Sequence, residues 1–86
     1  MASCRVEWKR SAEHDLRGLD RKQIPRIVAA VERLTFDPIP VGSRKLVGSE
    51  HVHRIRVGDY RVVYEHDAER GVVSIFRVRH RREVYR

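Results

Sequence analysis

Cysteine is almost missing from this 86-residue chain: Cys4 stands alone, so neither an internal disulfide nor a thiolate metal cluster is available, and its expected role is a small buried hydrophobe. Long apolar runs are missing as well. No stretch approaches the ~20 residues that a membrane-spanning helix needs, and residues 1–20 lack the apolar centre of a signal peptide. The expectation is a cytoplasmic protein with no membrane partner. Internal repeats and low-complexity segments are also lacking, and a chain this short encloses one hydrophobic core, so residues 1–86 are expected to form a single domain.

Acidic side chains are few relative to basic ones. Twelve Asp and Glu stand against 19 Lys and Arg, giving a formal net charge of +7, and the pI is near 10.5. Such a field attracts polyanions, whether nucleic acid, an acidic protein or an anionic membrane, and charge alone does not choose among them. The carboxylates Asp59, Glu65, Asp67 and Glu69 fall at hairpin ends without a recognisable ligand spacing, so no metal and no cofactor are expected.

What the chain does have is clear periodicity. Cys4, Val6 and Trp8 alternate with Arg5 and Glu7, which predicts a short N-terminal strand over residues 4–8. Ser11 is placed to N-cap a helix carrying Ala12, Leu16 and Leu19 on one stripe, ended by Gly18 and Asp20. A second helix is predicted from Lys22 to Leu34, where Ile24, Ile27, Val28, Val31 and Leu34 recur at helical spacing and Pro25 fits the first turn. Two or three residues separate the two, which predicts an antiparallel hairpin whose apolar face needs a sheet.

The segment Phe36 to Ser43, marked by Pro38, Pro40 and Gly42, reads as a connector. Strands are predicted at Arg44–Val47, Val52–Val57, Tyr60–Glu65 and Val72–Arg79, with a tight turn at Gly58-Asp59 and a looser one over Asp67–Gly71. The expected fold is therefore α+β: an N-terminal strand, a helical hairpin on a mainly antiparallel four-stranded sheet, and a short C-terminal segment.

Alternation along these strands sorts the arginines. His53, Ile55 and Val57 share one face of the second sheet strand and Arg54 and Arg56 the other; Tyr60, Val62 and Tyr64 oppose Arg61, Val63 and Glu65; Phe76 and Val78 oppose Ile75, Arg77 and Arg79. If the more apolar set meets the helices, Arg54, Arg56, Arg61, Arg77 and Arg79 converge on one open face, a phosphate-binding surface. The alternative is ordinary solvated arginines paired with Glu65, Asp67 and Glu69. The C-terminal run from Arg77 to Arg86 carries five arginines, Arg77 and Arg79 among them, opposed by Glu83 alone, with Tyr85 available to stack on an exposed base.

The Ser-Ala-Glu-x-Asp-Leu-x-x-Leu helix from Ser11 to Leu19 is followed by Lys45-Leu46-x-Gly48 and by Arg54-Ile55-Arg56-Val57-Gly58-Asp59-Tyr60-Arg61-Val62-Val63-Tyr64. The chain ends in Val78-x-His80-Arg81-x-Glu83-Val84-Tyr85. In this order these segments resemble the RelE/ParE toxin superfamily over nearly the whole length. The resemblance implies the helical hairpin on a sheet already reached by pattern. For a RelE-like member it also implies a metal-independent endoribonuclease, cutting mRNA in the ribosomal A site, and a cognate RelB-like antitoxin, acidic where it meets the arginines.

By the same resemblance Arg61 contacts the scissile phosphate, Arg81 lies at the end of the last strand as a second catalytic arginine, and Tyr85 stacks on the substrate base. His80 matches a catalytic histidine of a related branch, with a structural or solvated role as the alternative. Lys45, Arg54, Arg56, Arg77 and Arg79 are the implied RNA-binding set. Arg54 and Arg56 stand where some ribosome-dependent members have lysines, and arginine keeps its proton, so it neutralises charge but is a poor general base. His51, His53 and His66 are expected at the surface, and His14 is remote from this constellation. Two rival functions stay open: ParE-like inhibition of DNA gyrase through protein contacts, and noncatalytic RNA binding.

Overall fold

The apolar stripes fold as two helices over one face of a sheet. In the computed structural model, which describes residues 3–81, the elements are β1 (Arg5–Trp8), α1 (Arg10–Arg17), α2 (Ile24–Arg33), β2 (Arg44–Lys45), β3 (Val52–Val57), β4 (Tyr60–Asp67) and β5 (Val72–His80). Pro25 sits in the first turn of α2 as expected, since its missing N–H would have no partner there. The helices are joined by residues 18–23, a longer link than anticipated. No helix among the described residues is long and apolar enough to cross a membrane.

The sheet has five strands in the order β1-β5-β4-β3-β2. The count is one more than expected, because the N-terminal strand joins the sheet and pairs in parallel with β5 from Arg5↔Val72 to Trp8↔Ile75. A lone strand would leave its backbone groups unpaired. On β5 it satisfies them and sets Val6 and Trp8 against the core. The remaining pairings are antiparallel. Gly58 has φ +60, the left-handed value that the first central residue of a two-residue hairpin needs, and it closes the β3–β4 turn between the paired Val57 and Tyr60.

Ala12, Ile27, Val31 and Leu34 from the helices are buried against Ile55, Val62, Tyr64, Val73, Ile75 and Val78 from the sheet. Each fully buried aliphatic side chain contributes about 1.5–3 kcal/mol through its removal from water. The sheet's helix-side face is thus apolar on every long strand, which leaves polar side chains for the other.

Simple alternation fails at one place. Val63 pairs with Arg77 but Tyr64 pairs with Ile75, so Phe76 is an extra residue on β5. This bulge shifts parity. Ile75 and Val78, which strict alternation puts on opposite faces, are both buried, while Arg77 and Arg79 face the same way as Val63 and Arg61.

Beyond Ile75 the outer edge of β5 has outrun β1, and α1 takes over its hydrogen bonding. Ser11 Oγ donates to the Phe76 carbonyl, and the Val78 amide donates to Asp15 Oδ2 at 2.9 Å. Ser11 is therefore not the helix cap; Lys9 holds that position, and Ser11 lies within α1, facing the strand. Asp15 also receives the Arg77 guanidinium, Nε at 2.9 Å and Nη2 at 3.1 Å. With its side chain only 12% exposed, the carboxylate holds three donors.

Asp15→Ala should remove these bonds and leave the Val78 amide with no partner, costing about 1.5–3 kcal/mol. Urea unfolding tests this: the midpoint should fall with the m-value unchanged. Asp15→Asn, which can still accept from one donor, should cost less.

Candidate nucleic-acid interface

Registers place the arginines in two rows across the open face. Arg56, Arg61 and Arg79 are direct neighbours on β3, β4 and β5. One step along, Arg44, Arg54, Val63 and Arg77 form a second row from β2 to β5. Adjacent strands lie about 4.8 Å apart, so the first row spans roughly 10 Å at the backbone. Arg44, Arg54, Arg56 and Arg61, with Gly42, line a cleft of about 390 Å³.

Arg54 and Arg61 are half-buried and Arg56 is exposed. Arg56 Nε donates to the Gly58 carbonyl at 3.2 Å, which folds the side chain back toward the hairpin turn. The sequence-predicted arginines of β3 and β4 are thus brought together, and Arg79 lies in register beside Arg61. Arg77 shares the face but its guanidinium turns over the β5 edge to Asp15, so its charge is already partly compensated.

Lys45 belongs elsewhere. It pairs with His53, and His53 is buried on the helix side, so Lys45 projects from the face opposite the arginines. Arg44 takes its place, since pairing with Arg54 brings it to the cleft. The parity rule finds Arg44 once it is extended from the hairpin strands to β2.

Arg44 is positioned by the connector before it. The Tyr64 hydroxyl donates to the Pro38 carbonyl at 2.6 Å. Burial pushes the phenol up to about 12, with Asp37 raising it further and a hydrogen bond with Ser43 opposing the shift. Gly42 has φ +93, which lets the chain turn immediately before β2.

His80 and Arg81 lie at the end of β5. His80 pairs with Tyr60, and the two rings meet edge-on with centroids 5.3 Å apart. Tyr60 is on the helix side with Val62 and Tyr64, so the register sets His80 on the face opposite Arg61 and Arg79. The Arg81 amide donates to the Asp59 carbonyl at 2.7 Å, and its guanidinium lies 3.9 Å from the Asp59 carboxylate. Both side chains are exposed, so that ion pair contributes little. Tyr85 lies outside the described residues.

His51, His53 and His66 gather at the far end of the sheet. His66 Nε2 is 3.7 Å from the half-buried Cys4 Sγ. His51 is exposed as expected, but His53 is 7% exposed and packs on the Tyr64 ring. The surface expectation failed for His53 because it shares the parity of Ile55, which faces the helices.

The chain thus has the architecture of a small basic α+β protein, two helices over a five-stranded open sheet with arginines on the free face. Solved structures share that fold. The toxin–antitoxin complex RelBE2 from Mycobacterium tuberculosis matches with a TM-score of 0.80 and 28% identity, over 91% of this chain and 98% of that one. The RelE–RelB complex from Pyrococcus horikoshii OT3 matches with a TM-score of 0.81 and 26% identity, over 92% and 96%. Isolated E. coli RelE, at 23% identity and a TM-score of 0.78, supports the fold alone. Toxin RelG of M. tuberculosis is 37% identical over 89 residues, 94% of each chain. A family model described as the ParE toxin of type II toxin–antitoxin systems, parDE, matches residues 6–85, and the chain belongs to that family.

One titration is set by this packing. Burial first, then His66, Lys45 and His51, hold the His53 imidazole below its ordinary 6.5. The unfolded chain therefore binds the proton first. The corresponding stability is fully present above that ordinary value and falls as pH drops below it. His53→Phe should keep the ring packing and remove this component, so its unfolding free energy should vary less between about pH 8 and pH 5 than that of the wild type.

Proposed function

We propose that this toxin is a metal-independent endoribonuclease that cleaves mRNA in the ribosomal A site and so inhibits translation. The observation that carries this reading is the Arg56–Arg61–Arg79 row beside the cleft of Arg44 and Arg54. A single RNA strand laid across it would meet successive guanidiniums through its phosphates. The ribose 2′-hydroxyl attacks the adjacent phosphorus, the extra negative charge is met by Arg61 and its neighbours, and the 5′-oxygen leaves. The products are a 2′,3′-cyclic phosphate and a 5′-hydroxyl.

Arg61 is the group best placed to follow the phosphate into the transition state, because it is half-buried near the start of β4 with arginines paired on both sides. Arg81 and Tyr85 serve the same reaction from the chain end, as phosphate contact and base platform. His80 is assigned a positioning role through Tyr60, since its register is that of the opposite face. A RelB-like antitoxin, acidic toward the arginines, holds the toxin inactive in the cytoplasm.

The matched family is described by its ParE members, which makes gyrase inhibition the second reading. Adding the protein to programmed ribosomes, mapping the 5′ ends of the message and running a supercoiling assay alongside separates the two. Supercoiling loss with an intact message would replace the first reading by the second.

Within the nuclease reading, Arg61→Ala should lower the single-turnover cleavage rate by ~10²- to 10³-fold. His80→Gln should change the rate less than ~10-fold and leave its pH profile intact; a lost limb in that profile would make His80 the proton-transfer group. Arg44→Ala should reduce the slope of log affinity against log salt for single-stranded RNA by about 0.7, the value for one phosphate contact. Lys45→Ala should leave that slope unchanged, and equal effects of the two would contradict the face assignment.

A further inference from the structure

Three hollows meet at Arg56. It lines the arginine cleft, a larger groove of about 750 Å³ between the C-terminal end of α2, the connector and β3, and a third of about 410 Å³ between α2 and the β3–β4 turn. Two features remove the wall that would separate them. β2 begins only at Arg44, opposite Arg54, so it does not reach β3 at Arg56. Gly42, which lines both the cleft and the larger groove, has no side chain to fill the gap.

Beyond that gap the surface keeps the chemistry of a nucleic-acid path. Arg26, Arg33 and Arg56 supply positive charge, and Asp37 is the one carboxylate in the lining of the two outer hollows. The guanidiniums are held in place. Arg26 Nη1 donates to Gln23 Oε1 at 3.2 Å, and its guanidinium lies over Gly58, where a Cβ would stand 3.5 Å from Nη2. Arg56 Nε donates to the carbonyl of the same glycine. Phe36, three residues past Arg33 and lining the same groove, is 84% exposed. A ring displayed among guanidiniums suits a nucleobase, which meets its face while the adjoining phosphates meet the cations. An acidic peptide would satisfy the charges but carries no regular succession of anion and flat ring.

From this arrangement we infer that the RNA strand continues past the cleft: it turns round the open β3 edge at Arg56, stacks a flanking base on Phe36 and lays adjoining phosphates on Arg33 and Arg26. The subsite takes single strands, because a base within a duplex is already stacked between its neighbours. It presupposes the RNA reading of the arginine face and extends it to nucleotides outside the cleaved linkage. The proposed chemistry uses neither Phe36, Arg33 nor Arg26.

The test uses the purified toxin and oligoribonucleotides of about three and about ten residues, the longer within the roughly 4- to 16-nucleotide span of single-strand sites on one small domain. Riboses methylated at the 2′-oxygen lack the attacking hydroxyl, so binding is read without cleavage. The longer RNA should bind more tightly. Phe36→Ala and Phe36→Leu should each weaken it by roughly 10-fold with an unchanged salt slope, since a stacking face is lost and no cation is. Arg33→Ala and Arg26→Ala should each lower that slope by about 0.7. None of the four should move the affinity for the shorter RNA by more than about 2-fold, because screened charges outside its footprint act weakly. Arg17→Ala, in a separate hollow beside Trp8, should change neither. All the substituted side chains are exposed, so folding should be retained, which unfolding midpoints check.

Equal losses on the shorter and the longer RNA, or none on either, would overturn the path. Wild-type affinity for the longer RNA in all four variants, with weaker association with ribosomes, would overturn it as well, by giving the patch to ribosomal RNA. Failure of the RNA reading looks different: the wild type then binds neither oligonucleotide, and cleft and subsite fall together. A wild type that binds both equally removes the flanking subsite alone and leaves the cleft standing.

Discussion

The Asp15 carboxylate is the constraint on which the rest of the architecture turns. β1 is four residues long and β5 is nine, so half of the β5 outer edge has no strand beside it. Exposed edges invite pairing with other chains and leave amides unsatisfied. Here Ser11 and Asp15, one helical turn apart on α1, take the places a strand would fill at Phe76 and Val78. The same contacts fix where α1 lies on the sheet, and so where Ala12 enters the core. With α1 fixed, the bulge at Phe76 can return Val78 to the core while Arg77 and Arg79 turn outward. Arginine face and core are set by one junction.

The arginine face itself works against folding. Like charges directly opposite on neighbouring strands are destabilising by some tenths of a kcal/mol per pair, and both Arg56↔Arg61 and Arg61↔Arg79 are such pairs. A structural purpose would be better served by mixed charge, which the β4 end carrying Glu65 and Asp67 does contain. Local rules are broken most often where function demands it. A polyanion bound there would offset the repulsion among these guanidiniums.

Much of this was legible in the sequence. The α2 periodicity, the Gly58-Asp59 turn and the alternation in β3 and β4 led to the right elements and to the convergence of Arg54, Arg56 and Arg61, because each depends on residues close in the chain. Ser11 was read as a helix cap, and Asp15 stood in the motif with no role assigned. Their reason is a contact with β5, more than sixty residues away, which no local pattern reveals. The bulge at Phe76 was hidden for the same cause: strict alternation assumes an uninterrupted ladder, and an inserted residue leaves no compositional mark. Lys45 was misplaced by one position, and in a strand one position is a whole face.

Tyr64 ties these surfaces together. A buried phenol needs a partner for its hydroxyl, and this one takes the Pro38 carbonyl, with Ser43 close enough to bond as well. The connector is thereby held near both of its ends by a side chain in the middle of the sheet. Phe36 and Val41 stay outside on the strapped segment, displayed rather than collapsed inward, and Arg44 follows from its far end into the cleft. The exposed apolar pair and the cationic cleft therefore share one support, so the fold fixes the distance between them and a ligand spanning both would meet a preorganised surface.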